Sequence, residues 1–261
     1  LVPFSLAATA AERERIATAI EPEILIETAA ASGNLKLAGF AAEFAVCRRK
    51  VEPGPAMKLP EGRNAAFIRF SSGTTGASKG VVLSHEAVLE RTAACAGLRI
   101  GRGESVLWVL DMAFHFVVTI LLFLRRGATI VLAEAPLERS MPEALRRRRM
   151  HLLYATPYHY NLMVNSPDFA PEMLTGVRQA VATAMRLNPA DAASFRAKFG
   201  LPLTQAYGII EVGLPCLNDD WSEIRAGSVG RLQPGYELRI LRPGADGAVE
   251  PRVEFRGERA A

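Results

Sequence analysis

The sequence predicts an α/β domain with a mostly parallel sheet flanked by helices, followed by the start of a small antiparallel β-barrel. Short apolar runs alternate with helical segments between about residues 65 and 206, which is typical of parallel strands joined by helical crossovers. After about Gly227 the pattern changes to short strands separated by Pro-Gly and Asp-Gly turns, which favours antiparallel pairing. We therefore divide the chain into residues 1–226 and 227–261.

The individual elements follow from local signals. Residues 11–20 place Ile16 and Ile20 four apart, as one face of a helix requires. Ser84 has the side chain of a helix N-cap, and Gly200 is a typical helix terminator. Predicted helices cover residues 11–20, 84–96, 113–124, 141–149 and 194–199. Predicted strands cover residues 23–26, 65–70, 105–110, 128–133, 152–155, 178–182, 203–206, 228–232, 236–241 and 248–255. Residues 43–66 are rich in proline and basic side chains and are predicted to form an irregular link.

Composition excludes several classes of protein. Hydrophobic residues make up 49% of the 261 residues and charged residues 22%, which indicates a folded globular chain. The net charge of +4 is small for this length, and the run Arg146 to Arg149 has no interleaved aromatic residues, so we expect a solvated helix face and no nucleic-acid partner.

Membrane and secretory classes are disfavoured as well. The longest apolar stretch, residues 113–124, is shorter than the roughly 20 residues that cross a bilayer. No basic segment precedes the apolar N-terminus, so a signal peptide is not indicated. The three cysteines show no CxxC spacing, which argues against a disulfide framework and favours a reducing, cytoplasmic location.

The most informative stretch is S-S-G-T-T-G-A-S-K-G at residues 71–80. Its glycines let backbone amides approach an anion, its hydroxyls donate hydrogen bonds, and Lys79 adds a positive charge. We interpret it as a phosphate-binding segment between a strand and a helix; the alternative is a flexible surface loop. A Walker A loop is excluded, because it needs glycine at Ser78 and serine or threonine at Gly80.

These residues resemble the phosphate-binding signature of the adenylate-forming superfamily, which includes acyl-CoA synthetases, adenylation domains of nonribosomal peptide synthetases and luciferases. The signature [ST]-[SG]-G-T-[ST]-G-x-P-K-G is matched except at Ser78. Two later segments agree in order: Q-A-Y-G-I-I-E at 205–211 resembles Y-G-x-T-E, and G-S-V-G-R-L-Q-P-G at 227–235 resembles G-x-x-G-x-x-x-P-G. The resemblance extends more weakly to Leu1.

The resemblance implies an ATP site. Tyr207 would stack on the adenine, residues 182–185 would run beside it, and Glu211 would bind Mg²⁺. Glu211 and Lys79 are the implied catalytic residues. The implied ATP-binding residues are Ser71, Ser72, Gly73, Thr74, Thr75, Gly76, Lys79, Thr183, Ala184, Tyr207 and Gly208; of these, Ser72, Thr74, Thr75 and Lys79 would hold the β- and γ-phosphates.

The implied reaction is attack of a substrate carboxylate on the α-phosphate of ATP, which yields an acyl-adenylate and pyrophosphate. His115 and Phe116 fall where the superfamily places its acid pocket; a core histidine bound to a backbone carbonyl is the alternative for His115. The apolar surroundings favour an aryl or fatty acid over an amino acid. The expected acceptor is the thiol of coenzyme A or of a carrier protein's phosphopantetheine.

Two departures keep a second hypothesis open. Ser78 replaces a proline, and Ile210 replaces the threonine whose hydroxyl would contact the α-phosphate. The superfamily's [ST]-G-D motif and small C-terminal domain would follow residue 261, so we expect a truncated large domain that binds ATP weakly and turns over inefficiently. The alternative is a non-catalytic nucleotide-binding or interaction module. A nucleic-acid binder would need a strongly salt-dependent affinity.

Overall fold

The structure, a computed structural model, divides the chain into two compact units. One is Phe4–Gly62, and the other combines Leu1–Pro3 with Arg63–Ala261. The residues that the structure describes are 1–5, 8–28, 35–36, 43–48, 64–71, 79–220, 227–238 and 255–256.

The described residues of the smaller unit form a helix and a three-stranded sheet. Helix α1 (Ala10–Ile20) confirms the predicted helix and begins with a capping box, in which the Glu12 amide donates to Thr9 Oγ1 and the Thr9 amide donates to Glu12 Oε2. The strands β1 (Ile24–Thr28), β2 (Leu35–Lys36) and β3 (Glu43–Arg48) pair antiparallel in the order β1-β3-β2.

Strand β3 corrects the prediction of an irregular link at residues 43–66. Its six residues lie between two partner strands, so long-range pairing stabilises an extended segment that local composition did not reveal. Residues 49–63 lie outside the described part of the chain.

The larger unit begins with an antiparallel pair, β4 (Ala65–Ser71) and β5 (Lys79–Ser84), in which Ser71 is opposite Lys79. The prediction that the glycine-rich segment joins a strand to a helix is therefore wrong, because it joins two strands. Helix α2 (His85–Ala94) follows directly, and its N-cap is Ser84 as predicted, since Ser84 Oγ accepts from the Ala87 amide at 3.1 Å.

A seven-stranded, mostly parallel sheet forms the centre of the larger unit and confirms the predicted fold class. Its order is β12-β11-β10-β9-β8-β6-β7. The five strands from β10 to β7 are parallel, and β11 and β12 are antiparallel additions at one edge. The strands are β6 (Ser105–Trp108), β7 (Thr129–Leu132), β8 (Leu152–Ala155), β9 (Gln179–Ala182), β10 (Leu203–Ile209), β11 (Gly213–Asn218) and β12 (Arg231–Leu232).

Helices cover both faces of this sheet. On one face Met141, Tyr160 and Phe195 bring three crossover helices against the strands. On the other face Phe123 and residues after α2 pack on Trp108 and Tyr154. The helices after α2 are α3 (Met112–His115), α4 (Leu121–Arg125), α5 (Leu137–Arg147), α6 (Pro157–Asn165) and α7 (Pro189–Phe199), with a 3₁₀ turn at Pro171–Leu174.

The predicted helix over residues 113–124 is interrupted by a π-helical segment, Phe116–Ile120, between α3 and α4. Its widened turn is closed by the Leu121 amide, which donates to the Phe116 carbonyl five residues back. His115 is therefore the last residue before a change of helical period.

The last described strands are β13 (Glu237–Leu238) and β14 (Phe255–Arg256), which pair antiparallel with each other. β12, predicted within the barrel segment, instead adds to the edge of the main sheet through β11. Residues 239–254 lie outside the described part of the chain, so the division at residue 226 stays a prediction. Within the described ranges, no helix has the length and apolarity that a membrane crossing requires.

Candidate nucleotide and acid site

The carboxyl ends of the central parallel strands lie at one edge of the sheet. Trp108 is level with Tyr154, Ala155 with Ala182, and Ala182 with Gln205. The segments that leave these strands are therefore neighbours, and ligands of open α/β sheets bind at this edge. The predicted residues His115, Thr183, Ala184 and Tyr207 all lie on such segments.

The hairpin between β10 and β11 carries two of the predicted residues. Its residues 207–213 are here called the nucleotide turn. Tyr207 is 40% exposed, and Glu211 is exposed in the loop that follows Ile209. The pairing shifts after Tyr207, so that Ile209 is opposite Gly213. Gly208 fits this tight turn because a Cβ there would approach the Leu214 side chain to 2.7 Å and the Gly213 carbonyl to 3.0 Å.

Two side chains that the sequence motifs do not mark bind backbone carbonyls of the nucleotide turn. Arg91 of α2 donates from Nη2 to the Ile210 carbonyl at 2.6 Å, and Tyr236 donates its hydroxyl to the Val212 carbonyl at 2.8 Å. Burial lowers the pKa of Arg91, and nearby Tyr236 and Glu211 oppose that shift. Burial also raises the pKa of Tyr236 to about 12.

Residues 182–185, predicted to run beside the adenine, follow β9. The Thr183 amide donates to the Ala155 carbonyl at 2.9 Å, and the Thr183 hydroxyl is buried, 3.5 Å from the Tyr154 hydroxyl that donates to it. Ala184 has φ +66°, a left-handed conformation that non-glycine residues rarely adopt and that is frequent at functional sites. Met185 is exposed beyond it.

Beneath these segments lies a cluster of three rings, here called the aromatic wall: Trp108, Tyr154 and His115. Trp108 and Tyr154 are stacked with centroids 5.3 Å apart and an angle of 6° between their planes. The His115 ring packs against both, at 5.5 Å and 6.2 Å between centroids. The wall is joined to residues 182–185 through the Tyr154–Thr183 hydrogen bond.

His115 has the electrostatics of a neutral imidazole. Burial lowers its pKa to about 4; Arg69 lowers it further, and Asp111 opposes the shift. Its Nδ1 is buried and has no hydrogen-bond partner among the described residues. The alternative for His115 is a core histidine bound to a backbone carbonyl; no described carbonyl binds its Nδ1.

Arg69 is a further residue that the sequence analysis overlooked. Its guanidinium is buried, with Cζ 4.2 Å from the centre of the Phe114 ring, and burial lowers its pKa. Phe116, predicted to line the acid pocket, packs against Phe67 at 5.7 Å between centroids. The signal for Arg69 is a single charged side chain within the apolar strand sequence A-A-F-I-R-F.

The predicted phosphate loop is described only at its ends. The backbones of Ser71 and Lys79 pair at the end of the β4–β5 ladder. Their side chains lie outside the described part of the chain. So do the remaining predicted phosphate residues, Ser72, Gly73, Thr74, Thr75 and Gly76.

Glu211 suits a Mg²⁺ ion that shares its coordination with phosphates and water. Its carboxylate is exposed and supplies the hard oxygen ligands that Mg²⁺ prefers. Across the described ranges, no cluster of three or more His, Cys, Asp or Glu side chains could enclose a metal ion. One or two carboxylates plus substrate phosphates form the usual site for Mg²⁺, so the donor set fits.

A cavity of about 300 Å³ lies away from this site, at the amino ends of β9 and β10. Gly97, Gln179, Thr204 and Gln233 are among the residues that line it. Gln179 fills part of this end of the sheet by accepting from the Arg99 amide at 2.8 Å and donating to the Gly97 carbonyl at 3.0 Å. No predicted site residue lines the cavity.

The mostly parallel sheet and the turn at its carboxyl edge define an α/β fold of the adenylate-forming type. The chain belongs to the AMP-binding enzyme family, whose sequence pattern matches residues 1–258. The resemblance inferred from the three motifs is thereby confirmed.

Relatives within this family are named as acid–thiol ligases. A 4-chlorobenzoate–CoA ligase from Arthrobacter sp is 28% identical over 193 residues, which are 71% of this chain and 36% of that protein. A mitochondrial medium-chain acyl-CoA ligase, ACSF2 of Macaca fascicularis, is 30% identical over 187 residues, which are 67% of this chain and 30% of that protein. The chain therefore spans about a third of the length of the curated relatives it matches.

A solved structure gives the same fold. A malonyl-CoA ligase in a ternary product complex with methylmalonyl-CoA and AMP superimposes with a TM-score of 0.61 and 26% identity. The superposition covers 80% of this chain and 46% of that one.

Proposed function

We propose that the chain forms the nucleotide- and acid-binding part of a ligase that uses ATP to activate a carboxylic acid as an acyl-adenylate. One observation carries the proposal: exposed Tyr207 and Glu211 lie at the same sheet edge as the aromatic wall. An aromatic face can stack on adenine, and a carboxylate can bind the metal ion of a metal–phosphate complex. An apolar wall can contact the apolar body of an acid. Membership of the AMP-binding family and the CoA-ligase names of the relatives support it.

In this proposal the nucleotide lies along the segments after β9 and β10. The Tyr207 ring stacks on the adenine, a contact that any π-face tolerates. The backbone of Thr183 and Ala184 follows the edge of the base, and Gly208 leaves the turn without a side chain beside it. Lys79 and the hydroxyls of the glycine-rich segment bind the β- and γ-phosphates.

The proposed reaction is a substitution at the α-phosphorus. A carboxylate oxygen of the acid forms a bond to this phosphorus, and the bond to the bridging oxygen of pyrophosphate breaks, so that pyrophosphate leaves with the electron pair. Positioning and charge neutralisation supply most of the acceleration of such transfers. Lys79 contributes a positive charge to the departing phosphates.

Glu211 would hold Mg²⁺ against the phosphates. When bound there, the ion supplies neutralisation of phosphate charge. Glu211 itself fixes the position of that charge, because it belongs to a turn whose backbone is bound on both sides by Arg91 and Tyr236.

The proposed acid is an aryl or fatty acid. The buried rings of Trp108 and Tyr154 make the surroundings of His115 apolar, and the lowered pKa of His115 keeps its imidazole uncharged at neutral pH. An uncharged wall suits an apolar body better than an ammonium group, which would need a carboxylate partner.

The proposed acceptor is a thiol, whose sulfur attacks the acyl carbonyl and releases AMP. Coenzyme A is the acceptor that the relatives' names favour, and a carrier-protein phosphopantetheine is the alternative. We place the reaction in the cytoplasm, since Cys47, Cys95 and Cys216 are all free thiols.

The direct test is ATP–pyrophosphate exchange by the protein in its natural length, with a panel of benzoates, fatty acids and amino acids. Acid-dependent exchange that is fastest with an apolar acid is the expected result. A Glu211→Gln variant controls for contaminating activity. Exchange with amino acids alone would overturn the proposed substrate class.

A non-catalytic nucleotide-binding module is the second candidate, and Ile210 favours it because the turn has no hydroxyl at that position. Equilibrium binding of ATP separates the two candidates. A module binds ATP without exchange for any acid, whereas the ligase catalyses exchange. Absence of both binding and exchange would contradict both candidates.

A further inference from the structure

We propose that Arg91 is a positioning residue for the nucleotide turn: by binding the Ile210 carbonyl, it orients Glu211 for the metal-bound nucleotide. This inference rests on the proposed function. Arg91 lies on α2, which follows the glycine-rich segment, whereas Ile210 is 119 residues further along the chain. The contact therefore joins the helix that follows the phosphate segment in the sequence to the turn that carries the proposed metal-binding carboxylate.

Arg91 and Tyr236 bind the two carbonyls on either side of Glu211. Arg91 Nη2 is 2.6 Å from the Ile210 oxygen, and the Tyr236 hydroxyl is 2.8 Å from the Val212 oxygen. With both neighbouring peptide groups held, the backbone of Glu211 has little freedom to rotate. The direction of its carboxylate is then set by the side-chain torsions alone.

Gly213, at the end of the turn, lies close to the same two side chains. Gly213 has φ +95°, and a Cβ at this position would lie 3.3 Å from Arg91 Cβ and 3.3 Å from the Tyr236 hydroxyl oxygen. A side chain at position 213 would therefore crowd both residues, and glycine lets the turn lie close to α2. Arg91 thus limits the position of the turn by packing as well as by its hydrogen bond.

The buried guanidinium of Arg91 does not use all of its hydrogen-bond donors, which is unexpected for an arginine that only stabilises the fold. Its side chain is 5% exposed, yet Nη1 makes no hydrogen bond to any residue that the structure describes. Burying an incompletely paired charge is costly, and apolar replacements of similar size are often neutral or stabilising. An arginine here is better explained by what it does to the turn than by a contribution to stability.

Arg91 holds the turn through a contact that does not involve the side chain at position 210. A hydroxyl at position 210 could hydrogen-bond within the turn or to the nucleotide, but isoleucine offers only its backbone groups. The backbone carbonyl of Ile210 is the group that Arg91 binds.

The experiment compares Arg91→Met, Arg91→Lys and a control, Arg126→Met. Arg126 also donates to backbone carbonyls, those of Leu98, at 2.5 Å, and of Cys95, but it does not contact the turn. Three quantities are measured on each variant: ATP affinity with Mg²⁺ and with EDTA by calorimetry, amide hydrogen exchange at residues 210–213, and thermal unfolding.

For Arg91→Met we expect about tenfold weaker ATP binding with Mg²⁺, the usual loss for one hydrogen bond to a charged group. Binding in EDTA should be unchanged, exchange at residues 210–213 faster, and the unfolding temperature the same or higher. Arg91→Lys should recover part of the affinity. Arg126→Met should change neither the magnesium dependence nor exchange in the turn.

A double mutant tests the link to Glu211. In a Glu211→Gln background, Arg91→Met should add no further loss of magnesium-dependent affinity, because the group that Arg91 orients is already gone. Additive losses would overturn the inference, as would unchanged exchange at residues 210–213. If the wild-type protein binds no ATP with Mg²⁺, the proposed function fails and the orienting role fails with it, whereas unchanged exchange alongside normal ATP binding refutes only the role of Arg91.

Discussion

The aromatic wall and the nucleotide turn lie at the same edge of the sheet but are built in opposite ways. Trp108 and Tyr154 of the wall are fully buried, so that one set of side chains both stabilises the fold and, in the proposed function, lies behind the acid. In the turn, Tyr207 and Glu211 face solvent, while Arg91 and Tyr236 hold only its backbone. If the proposed function holds, we expect substitutions in the wall to change acid preference and stability together, and substitutions in the turn to change nucleotide binding with little effect on stability.

Trp108→Ala should give the largest effect and tests the wall's half of this comparison. Trp108 is 1% exposed, and we expect a loss of about 3–5 kcal/mol in the free energy of unfolding. Urea denaturation measures this loss. Leu132→Ala, on a half-exposed leucine of the same sheet, is the control and should cost much less; equal losses would mean that the wall is not a core element.

The pH dependence of stability tests the buried imidazole of the wall. Because the pKa of His115 is lowered from 6.5 to about 4 in the folded protein, the unfolded state binds more protons between these values. The contribution of His115 to the free energy of unfolding is therefore fully present above pH 6.5. It is lost as the pH falls toward 4, by about 3 kcal/mol at most.

His115→Asn provides the matching control for this pH dependence. Arg69 and Asp111, the charged neighbours that act on the ring, remain in both proteins, so the difference between the two unfolding profiles isolates His115. Parallel profiles between pH 4 and 6.5 would contradict a buried, neutral imidazole.

Glu211→Gln addresses the turn's half of the comparison. We expect about 100-fold slower pyrophosphate exchange, the size typical for loss of one group that fixes charge in the transition state. Because Glu211 is exposed, the unfolding free energy should not change.

The control is Glu138→Gln, which changes an exposed carboxylate of α5 and should leave exchange unaffected. A large loss of stability in Glu211→Gln would contradict the comparison, because the turn would then contribute to stability as the wall does.

Tyr207→Ala should give the smallest of these effects, about tenfold weaker ATP binding, as expected for loss of one stacked aromatic ring. Tyr207→Phe keeps the ring and should bind nearly as well as the wild type. Equal weakening in both variants would show that the hydroxyl, and not the stacking face, makes the contact.

Elements with strong local signals were predicted closely. Leu152–Ala155 is a strand with the predicted bounds, Ser84 caps α2, and Gly200 ends α7 in a left-handed conformation with φ +69°. Each depends on residues within a few positions, such as an apolar run, a capping hydroxyl or a terminal glycine. The strands β3, β5 and β11 were missed, since pairing with distant segments stabilises them.

The candidate site divides in the same manner. Tyr207, Glu211, Thr183 and His115 could be inferred because motifs mark them, and their roles stay predictions. Arg91 could not, because its role depends on a contact across 119 residues. The available signal was the position of Arg91 on the buried face of α2, four residues before buried Cys95 and three after Val88. A charged side chain is unusual on a buried helix face and indicates a specific partner.

The π-helical segment after His115 has a consequence for how this part of the chain tolerates a change in length. A π-turn holds one residue more than the α-helical turn it replaces. Deleting a single residue within Phe116–Ile120 would therefore restore the ordinary period and leave His115 and Phe114 in nearly the same orientation relative to α4. This segment is thus one codon away from a continuous α-helix, while the helix and sheet that anchor it keep their sequence.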